Sequence, residues 1–483
     1  MARRIEGELA AENVLIGVAC LPAIANVVRA LPLRLSLDAN EGWNAYQVLA
    51  ATRGTLYPHP PQFFFNNYPP LSFFLVAPIS SVIGDPIVAG RVLALVGFVA
   101  LAAMTFLAAR QMGCTAAEAR FGAVLFVAVT LSLSHYVGID DPQFVGQAVS
   151  AAGLLFLLPR PRTAARIGMS AALMTTAVFI KHNVVALPLA CVMWLWTDDR
   201  PAARRLIAAG SLVSLGSFVV CVACFGIGLL DGLATPRGYS PLVAASAFAR
   251  WIVRVPVFLG ALLLLWRRFP GDSSVAFCAC FVGIASLTGV AFLGGDGVDW
   301  NMMFESNWAC CLTAAVALNR LTGVPPGVPS HSKPRLALAA AFVLLPIVAA
   351  SLALRQARWN PGSTTVARLA ATPAFEDDIA FVASRPGPAL CDDLAVCFWA
   401  GKPAVVDVFN LRQYRIARRA NARELDALVD RTYFGVIQVK HRGASLGPDF
   451  QAALDRHYVA VRQGPAGTSF VPRDQWPVRD GQP

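Results

Sequence analysis

Two carboxylates, Asp38 and Glu41, stand three residues apart in the stretch LSLDANEGWNAYQ, a spacing that places them on one face if the stretch is helical. A carboxylate there could take the proton of an attacking hydroxyl or coordinate a metal; it could equally be a solvated loop acid. The same stretch runs on to Asn67, Tyr68, Pro69 and Pro70, with Trp43, Tyr46, Tyr57, Phe63, Phe64 and Phe65 on the way. Those rings suit either an interfacial aromatic belt or a surface on which a sugar stacks. A second acid pair, Asp140 and Asp141, follows His135 in SHYVGIDDPQ, and Pro142 suits the first turn of a helix beginning there. Adjacent like charges need a partner: a divalent cation such as Mg or Mn, a substrate hydroxyl or a basic side chain. One of the two can also cap the helix, and the expectation is one cap and one functional acid.

Cations complete the inventory. The turn Lys181-His182-Asn183 joins two apolar runs of about 15 residues each, which at about 1.5 Å per residue fall short of a roughly 30 Å hydrocarbon core. Lys181 is then expected below the outer surface, where it either binds an anionic headgroup together with His182 or snorkels outward. Arg250 and Arg254 are one helical turn apart, with Arg237 in the preceding loop. Aligned guanidinium groups suit a phosphate, and they also suit interfacial anchoring. The segment GGDGVDWNMMFESNWA adds Asp296, Asp299, Asn301, Glu305 and Asn307, of which Glu305 is expected inside the membrane.

These groups must be positioned by helices in a bilayer. The chain of 483 residues is 56% hydrophobic and only 14% charged, against about 25% charged in soluble domains, and its mean hydropathy is +0.56. The net charge of +11 is spread in short clusters between apolar runs, at Arg110 to Arg120, Arg160/Arg162/Arg166, Arg200/Arg204/Arg205, Arg267/Arg268 and Arg320 to Arg335. That distribution excludes a nucleic-acid surface and reads as a set of cytoplasmic loops. With Arg3 and Arg4 also inside and the first helix retained, eleven spans follow at 13–33, 88–109, 119–136, 143–158, 166–180, 184–197, 205–230, 244–266, 274–293, 303–320 and 336–354. The run at 71–83 is short for a span and reads as a juxtamembrane or re-entrant helix. The loop 35–70, both acid pairs, the lysine turn and everything after 355 then lie outside.

The predicted fold class is therefore an α-helical polytopic membrane protein, with a transmembrane region over 1–355 and a small extracytoplasmic α/β domain over 356–483. In that domain, strand-like runs at 405–408, 434–439 and 458–461 alternate with helical ones at 421–429 and 450–456. Nine of the eleven cysteines lie in or beside apolar segments; Cys391 and Cys397 lie in the soluble domain and could form a disulfide there.

An acid pair after the first span, Asn67-Tyr68-Pro69-Pro70-Leu71, a second acidic loop at Asp140–Asp141 and a C-terminal outside domain together resemble the GT-C superfamily of polyprenyl-phosphate-sugar glycosyltransferases. The likeness is to bacterial family 39-like and protein-mannosyltransferase-like members. The resemblance implies an inner-membrane multi-pass enzyme, N-terminus cytoplasmic and C-terminal domain periplasmic. It would pass a sugar from a polyprenyl-phosphate donor to a glycan or lipid acceptor, by inverting single displacement. It implies Asp38 as catalytic base, with Glu41 beside it; here the acids stand as Asp-Ala-Asn-Glu where many relatives have adjacent Asp-Glu, so the choice between them stays open. Asp140 or Asp141 would position the acceptor or a metal, and Lys181, His182, Arg237, Arg250 and Arg254 are suited to the donor phosphate. The competing class is a transporter or flippase of an anionic lipid or sugar; such proteins often carry internal repeats and broken helices near the midplane, whereas here no repeat is visible and the acids cluster at one face. A non-catalytic glycan-assembly subunit is a further alternative.

Overall fold

The computed structural model describes residues 2–59, 63–132, 136–322, 337–344, 365–417, 422–440 and 446–476. It is a polytopic helical membrane fold with a small mixed sheet near the C-terminus. Among the described residues four helices are long and apolar enough to cross a bilayer: α1 (Ala2–Ala30, apolar from Leu9), α4 (Pro86–Gln111), α9 (Arg200–Phe225) and α13 (Ser273–Leu293). Helices α11 (Pro241–Arg254) and α12 (Pro256–Arg268) pass the same test together but are bent by 74°. The expected straight span at 244–266 is thus broken, because Pro256 has no N–H to continue the ladder. Likewise α9 stops at Phe225, short of the expected 230, where Gly226 adopts φ of 67°.

The other spans expected from the sequence are shorter helices packed among these: α5 (Ala116–Leu131), α6 (Gln143–Leu157), α7 (Ala164–Ile180), α8 (Ala186–Asp198) and α14 (Phe304–Thr322). Their starts are fixed by local chemistry. Thr115 and Glu118 form a reciprocal capping box on α5, and Asp85 caps α4 ahead of Pro86. The intervening helices are α2 (Asn40–Thr52), α3 (Leu71–Ile83) and α10 (Ile227–Leu233). The 13-residue α3 fits the expected juxtamembrane element. Of the last expected span only 337–344, here α15, is described; the boundary at 355/356 lies outside the described residues.

The soluble domain begins with α16 (Thr365–Ser384). Its sheet runs in the order β1 (Ala389–Cys391), β2 (Val436–Val439), β4 (Gly467–Pro472), β3 (Tyr458–Gly464), parallel between β1 and β2 and antiparallel elsewhere. Around it lie α17 (Leu394–Trp399), α18 (Val408–Ile416), α19 (Ala422–Asp430) and α20 (Pro448–His457). The strand expected at 405–408 is absent: the segment leads into α18, and the Asp407 N–H donates to the Phe63 carbonyl at 2.7 Å instead of to a sheet partner. Cys391 and Cys397 are joined by a disulfide between the end of β1 and α17.

The loop 35–70 contains one helix, α2, and that helix is clamped on both sides. A Cβ on Gly42 of α2 would lie 2.0 Å from the Ala395 nitrogen, so only glycine lets α17 approach this closely. The Tyr46 hydroxyl donates to the Lys402 carbonyl at 2.7 Å, and the Trp399 indole donates to Asp85 at 2.8 Å. On its other side α2 is tied to α4 through Arg91 and Glu41, both fully buried: Nε donates to Glu41 Oε1 at 2.7 Å and a terminal nitrogen donates to Oε2 at 2.6 Å. The remaining donors of Arg91 go to the carbonyls of Ala30, the last residue of α1, and of Leu31, Leu33 and Leu35 just beyond it. One guanidinium therefore gathers α1, α2 and α4.

Removing one partner of such a pair leaves an uncompensated buried charge, at a cost of about 3–5 kcal/mol. Arg91→Met is expected to lower the thermal unfolding midpoint in detergent sharply, and the double variant Arg91→Met/Glu41→Leu to recover most of the loss. A double variant no more stable than the single one would show that the hydrogen bonds to the α1 carbonyls, rather than the ion pair, hold the region together.

Candidate active site

Because α2 starts at Asn40, Asp38 lies before the helical register, and it does not share a face with Glu41 as the spacing alone suggests. Glu41 is fully buried; its carboxylate is engaged by Arg91 and accepts the Leu37 N–H at 2.8 Å and the Asp140 N–H at 3.1 Å. It closes the chain into a loop that presents Asp38 to the opposite side. There Asp38 stands on the wall of a cavity of 690 Å³. Its Oδ1 accepts the Asn40 N–H at 2.9 Å, and no further partner of its carboxylate occurs among the described residues. Burial, reinforced by the neighbouring carboxylates of Glu41, Asp141 and Asp299, pushes its pKa up to about 6 despite the opposing Asn40 hydrogen bond.

The second acid pair divides its roles. Asp140 is buried, with its carboxylate set so closely against Gly90 that a Cβ there would lie 1.9 Å from Oδ1. Burial first, then Glu41, raises its pKa well above the usual carboxylate range. Its backbone does the positioning, donating to Glu41 and accepting from Asn44. Asp141 turns the other way. It accepts the Gln143 N–H at 2.7 Å at the start of α6, and both its oxygens lie 3.1 Å from Lys181 Nζ. The same acid is thus both helix cap and cavity wall. His135 lies outside the described residues.

Lys181 is 2% exposed, and its charge is met locally: besides Asp141 it donates to the Tyr68 hydroxyl at 2.9 Å and lies 4.3 Å from the centre of that ring. Tyr68 is in turn fixed by its own N–H to Asn66, by the Tyr57 hydroxyl on its carbonyl and by edge contact with Trp43. Asn67 lines the cavity. Pro69 and Pro70 do not; both are buried where the chain turns into α3. His182 meets the Tyr68 ring edge-on, and burial together with Lys181 and Arg237 lowers its pKa to about 4, so its imidazole is neutral at pH 7.

Arg237 also lines the cavity. Its guanidinium lies over the Phe409 ring, 4.9 Å from the centre, and makes no ion pair or hydrogen bond to a described residue. Arg250 and Arg254 are elsewhere: both lie over Trp300, outside the cavity lining. Glu305 is buried at the start of α14, where it accepts the N–H groups of Ala186 and Leu187 and so caps α8 from a neighbouring helix. Asp296 holds the soluble domain through Gln413 and Arg412.

The sequence offered no hint of the remaining wall. Asp392, Asp407, Phe409, Asn410 and Arg412 all reach the cavity from the C-terminal domain. Asp407 caps α18 through the Asn410 N–H, and burial raises its pKa to about 6. Caps of this kind look alike wherever they fall, which is why the residues were indistinguishable from ordinary domain chemistry. Among the described residues no three His, Cys, Asp or Glu side chains converge as a metal site. Chemically, the cavity offers Asp38, with one carboxylate oxygen unpartnered among the described residues, Arg237, whose guanidinium is likewise unpartnered there, a neutral histidine and a Lys–Tyr–Asp cluster that fixes its floor.

A double-mutant cycle on that cluster tests whether Lys181 is held by Asp141. Lys181→Met and Asp141→Asn are each expected to destabilise the protein, and the pair together by less than their sum, with a coupling of about 1–3 kcal/mol read from thermal unfolding. Strict additivity would mean that the two charges do not depend on each other.

No protein-family model matches the sequence, and no curated protein does. Two crystal structures of ArnT from Cupriavidus metallidurans match the fold. The one bound to undecaprenyl phosphate has a TM-score of 0.61 at 14% identity, and the apo form 0.62 at 15%. In each case 95% of this chain and 97% of that one are covered. The chain therefore shares the fold of those two structures over nearly its whole length.

Proposed function

We propose that the protein transfers a sugar from a polyprenyl-phosphate donor to a hydroxyl of a glycan or lipid acceptor, on the extracytoplasmic side of the inner membrane. The observation that carries this reading is the pairing, in one cavity, of Asp38 and Arg237, each with polar atoms that have no partner among the described residues. A base and a cation facing one enclosed space are what displacement at an anomeric carbon requires when the leaving group is a phosphate. The similarity in fold to a protein crystallised with undecaprenyl phosphate supports a donor of that class.

In the reaction Asp38 accepts the proton of the acceptor hydroxyl as its oxygen attacks the anomeric carbon. The bond from that carbon to the phosphate oxygen breaks on the opposite face, giving inversion. The released lipid phosphate carries the negative charge, which Arg237 meets. A lipid phosphate needs no strong general acid, and neutral His182 is placed to donate or accept a hydrogen bond to the donor sugar or its phosphate. Lys181 and Asp141, already paired, hold Tyr68 and the cavity floor rather than the phosphate. In this reading Asp38 is the base and Glu41 the buttress that aims it, and no step passes through a metal. The disulfide between Cys391 and Cys397 supports a periplasmic soluble domain, and the arginine clusters between apolar runs support a cytoplasmic N-terminus.

Label transfer from radiolabelled polyprenyl-phosphate sugars to membrane acceptors tests the proposal. Asp38→Asn is expected to lower the rate by about 10²–10⁴ at unchanged membrane insertion, the usual worth of a general base. Arg237→Gln should cost about 10²-fold, chiefly in kcat. Since the base must be unprotonated, the wild-type rate should rise tenfold per pH unit below about 6 and level off above it. Full transfer by Asp38→Asn would remove the base; transfer from no donor in the panel would move the reading towards transport.

A further inference from the structure

Arg250 and Arg254 remain outside the chemistry described so far. They sit near the end of α11, one turn apart, and lie 5.8 and 4.3 Å from the centre of the Trp300 ring. Neither makes an ion pair or hydrogen bond to a described residue. The acids that flank Trp300 in sequence are engaged elsewhere: Asp299 accepts the Trp300 N–H at 2.6 Å and lines the cavity, and Glu305 caps α8. Among the described residues these two guanidinium groups have no acidic partner, and neither they nor Trp300 line the 690 Å³ cavity.

Their helix is built to lie at a membrane surface. On its inner side α11 buries Ala244, Ala247 and Trp251, and the Trp251 indole donates to Ser306 at 3.0 Å. On its outer side Leu242 is 79% and Val253 70% exposed, in a chain whose bilayer-facing surface is apolar. The 74° bend at Val255 then turns α12 away from the direction of α11. Arg254 also borders a groove of 30 Å³ lined by Phe258, Asn307 and Ser132, room for about a single oxygen atom beside an asparagine and a hydroxyl.

We infer that Arg250, Arg254 and Trp300 form a docking site for the phosphate headgroup of an anionic bilayer phospholipid, separate from the catalytic cavity. The charge is complementary, since two guanidinium groups at this spacing can share the oxygens of one phosphate diester. One oxygen enters the groove towards Asn307, while the acyl chains lie along the exposed apolar face of α11. Trp300 fixes the cations in place and takes the interfacial position usual for an indole. The site anchors the bent α11–α12 pair next to the segment that supplies Asp299 and Asn301 to the cavity.

Native mass spectrometry of the full chain, released from detergent with added phosphatidylglycerol or phosphatidylcholine, tests the assignment without depending on any transferase activity. The wild type should retain phosphatidylglycerol at about tenfold lower concentration than phosphatidylcholine, in line with the attraction expected of two surface arginines. Arg250→Gln/Arg254→Gln should bring that preference below about twofold. Arg250→Lys/Arg254→Lys, with the charge kept, should retain part of it, and Arg237→Gln should retain all of it. Thermal unfolding of each variant separates loss of the site from loss of the fold. An unchanged preference in the folded glutamine variant would overturn the proposal, as would equal retention of the two lipids by the wild type. Stoichiometric displacement of phosphatidylglycerol by polyprenyl phosphate would also overturn it, by making the site part of the donor path.

Discussion

The buried contact between Arg91 and Glu41 is the constraint on which the site depends. A guanidinium in an apolar helix is tolerable only if its charge is countered and its donors are used, and here a carboxylate and four carbonyls do so. The geometry that satisfies Arg91 also decides where everything else goes. It draws Leu31 to Leu35 across the top of α4, sets the first turn of α2 and points Glu41 inward. It also fixes the loop carrying Asp140, whose N–H completes the shell of the same carboxylate. Asp38 and Asp141 reach the cavity because their sequence neighbours are spent on this buried network.

That division of labour between adjacent acids explains what the sequence could and could not reveal. Residue type and charge distribution led to the expectation that Asp38, Asp141, Tyr68, Lys181, His182 and Arg237 share one side of the membrane, and the structure brings these six to one cavity. What the sequence could not resolve was which member of each acid pair faces it. For the first pair the answer turned on a helix start at Asn40 rather than two residues earlier, a local detail set by the long-range contact with Arg91. Arg91 itself went unnoticed because a single cation in an apolar run looks like a tolerated interruption of a span. Its significance lies in carbonyls about 60 residues away in sequence. The bend at Pro256 could have been anticipated from the proline alone.

The soluble domain illustrates a different limit. Its α/β character followed from alternating strand-like and helical runs, yet the run at 405–408 proved to be the approach to a helix, because the Asp407 cap ends it. That same cap brings Asp407, Phe409 and Asn410 to the cavity. The domain is therefore no appendage. It closes a wall of the site, and it is locked to the membrane region at two places where glycine alone fits: Gly42 against Ala395, and Gly297 against the ring of Phe409. Phe409 in turn carries Arg237, so the position of the free cation is set jointly by the loop before α11 and by the soluble domain.

The cations of the molecule fall into distinct electrostatic states, and this sorts their roles more sharply than position does. Arg91 is saturated, and a saturated buried charge is structural because any reacting group would have to break existing bonds to engage it. Lys181 is paired with Asp141 and hydrogen-bonded to Tyr68, so its charge is spent on holding the floor of the cavity, although its residue type and depth first suggested an anion receptor. Arg237, Arg250 and Arg254 rest on aromatic rings, contacts that orient a guanidinium plane and leave its N–H donors free. A cation held that way is preorganised for an incoming phosphate without first surrendering a partner. What separates Arg237 from the other two is the company it keeps: of the three, only Arg237 lines the cavity that holds Asp38, and the proposed reaction needs a cation and a base in one space.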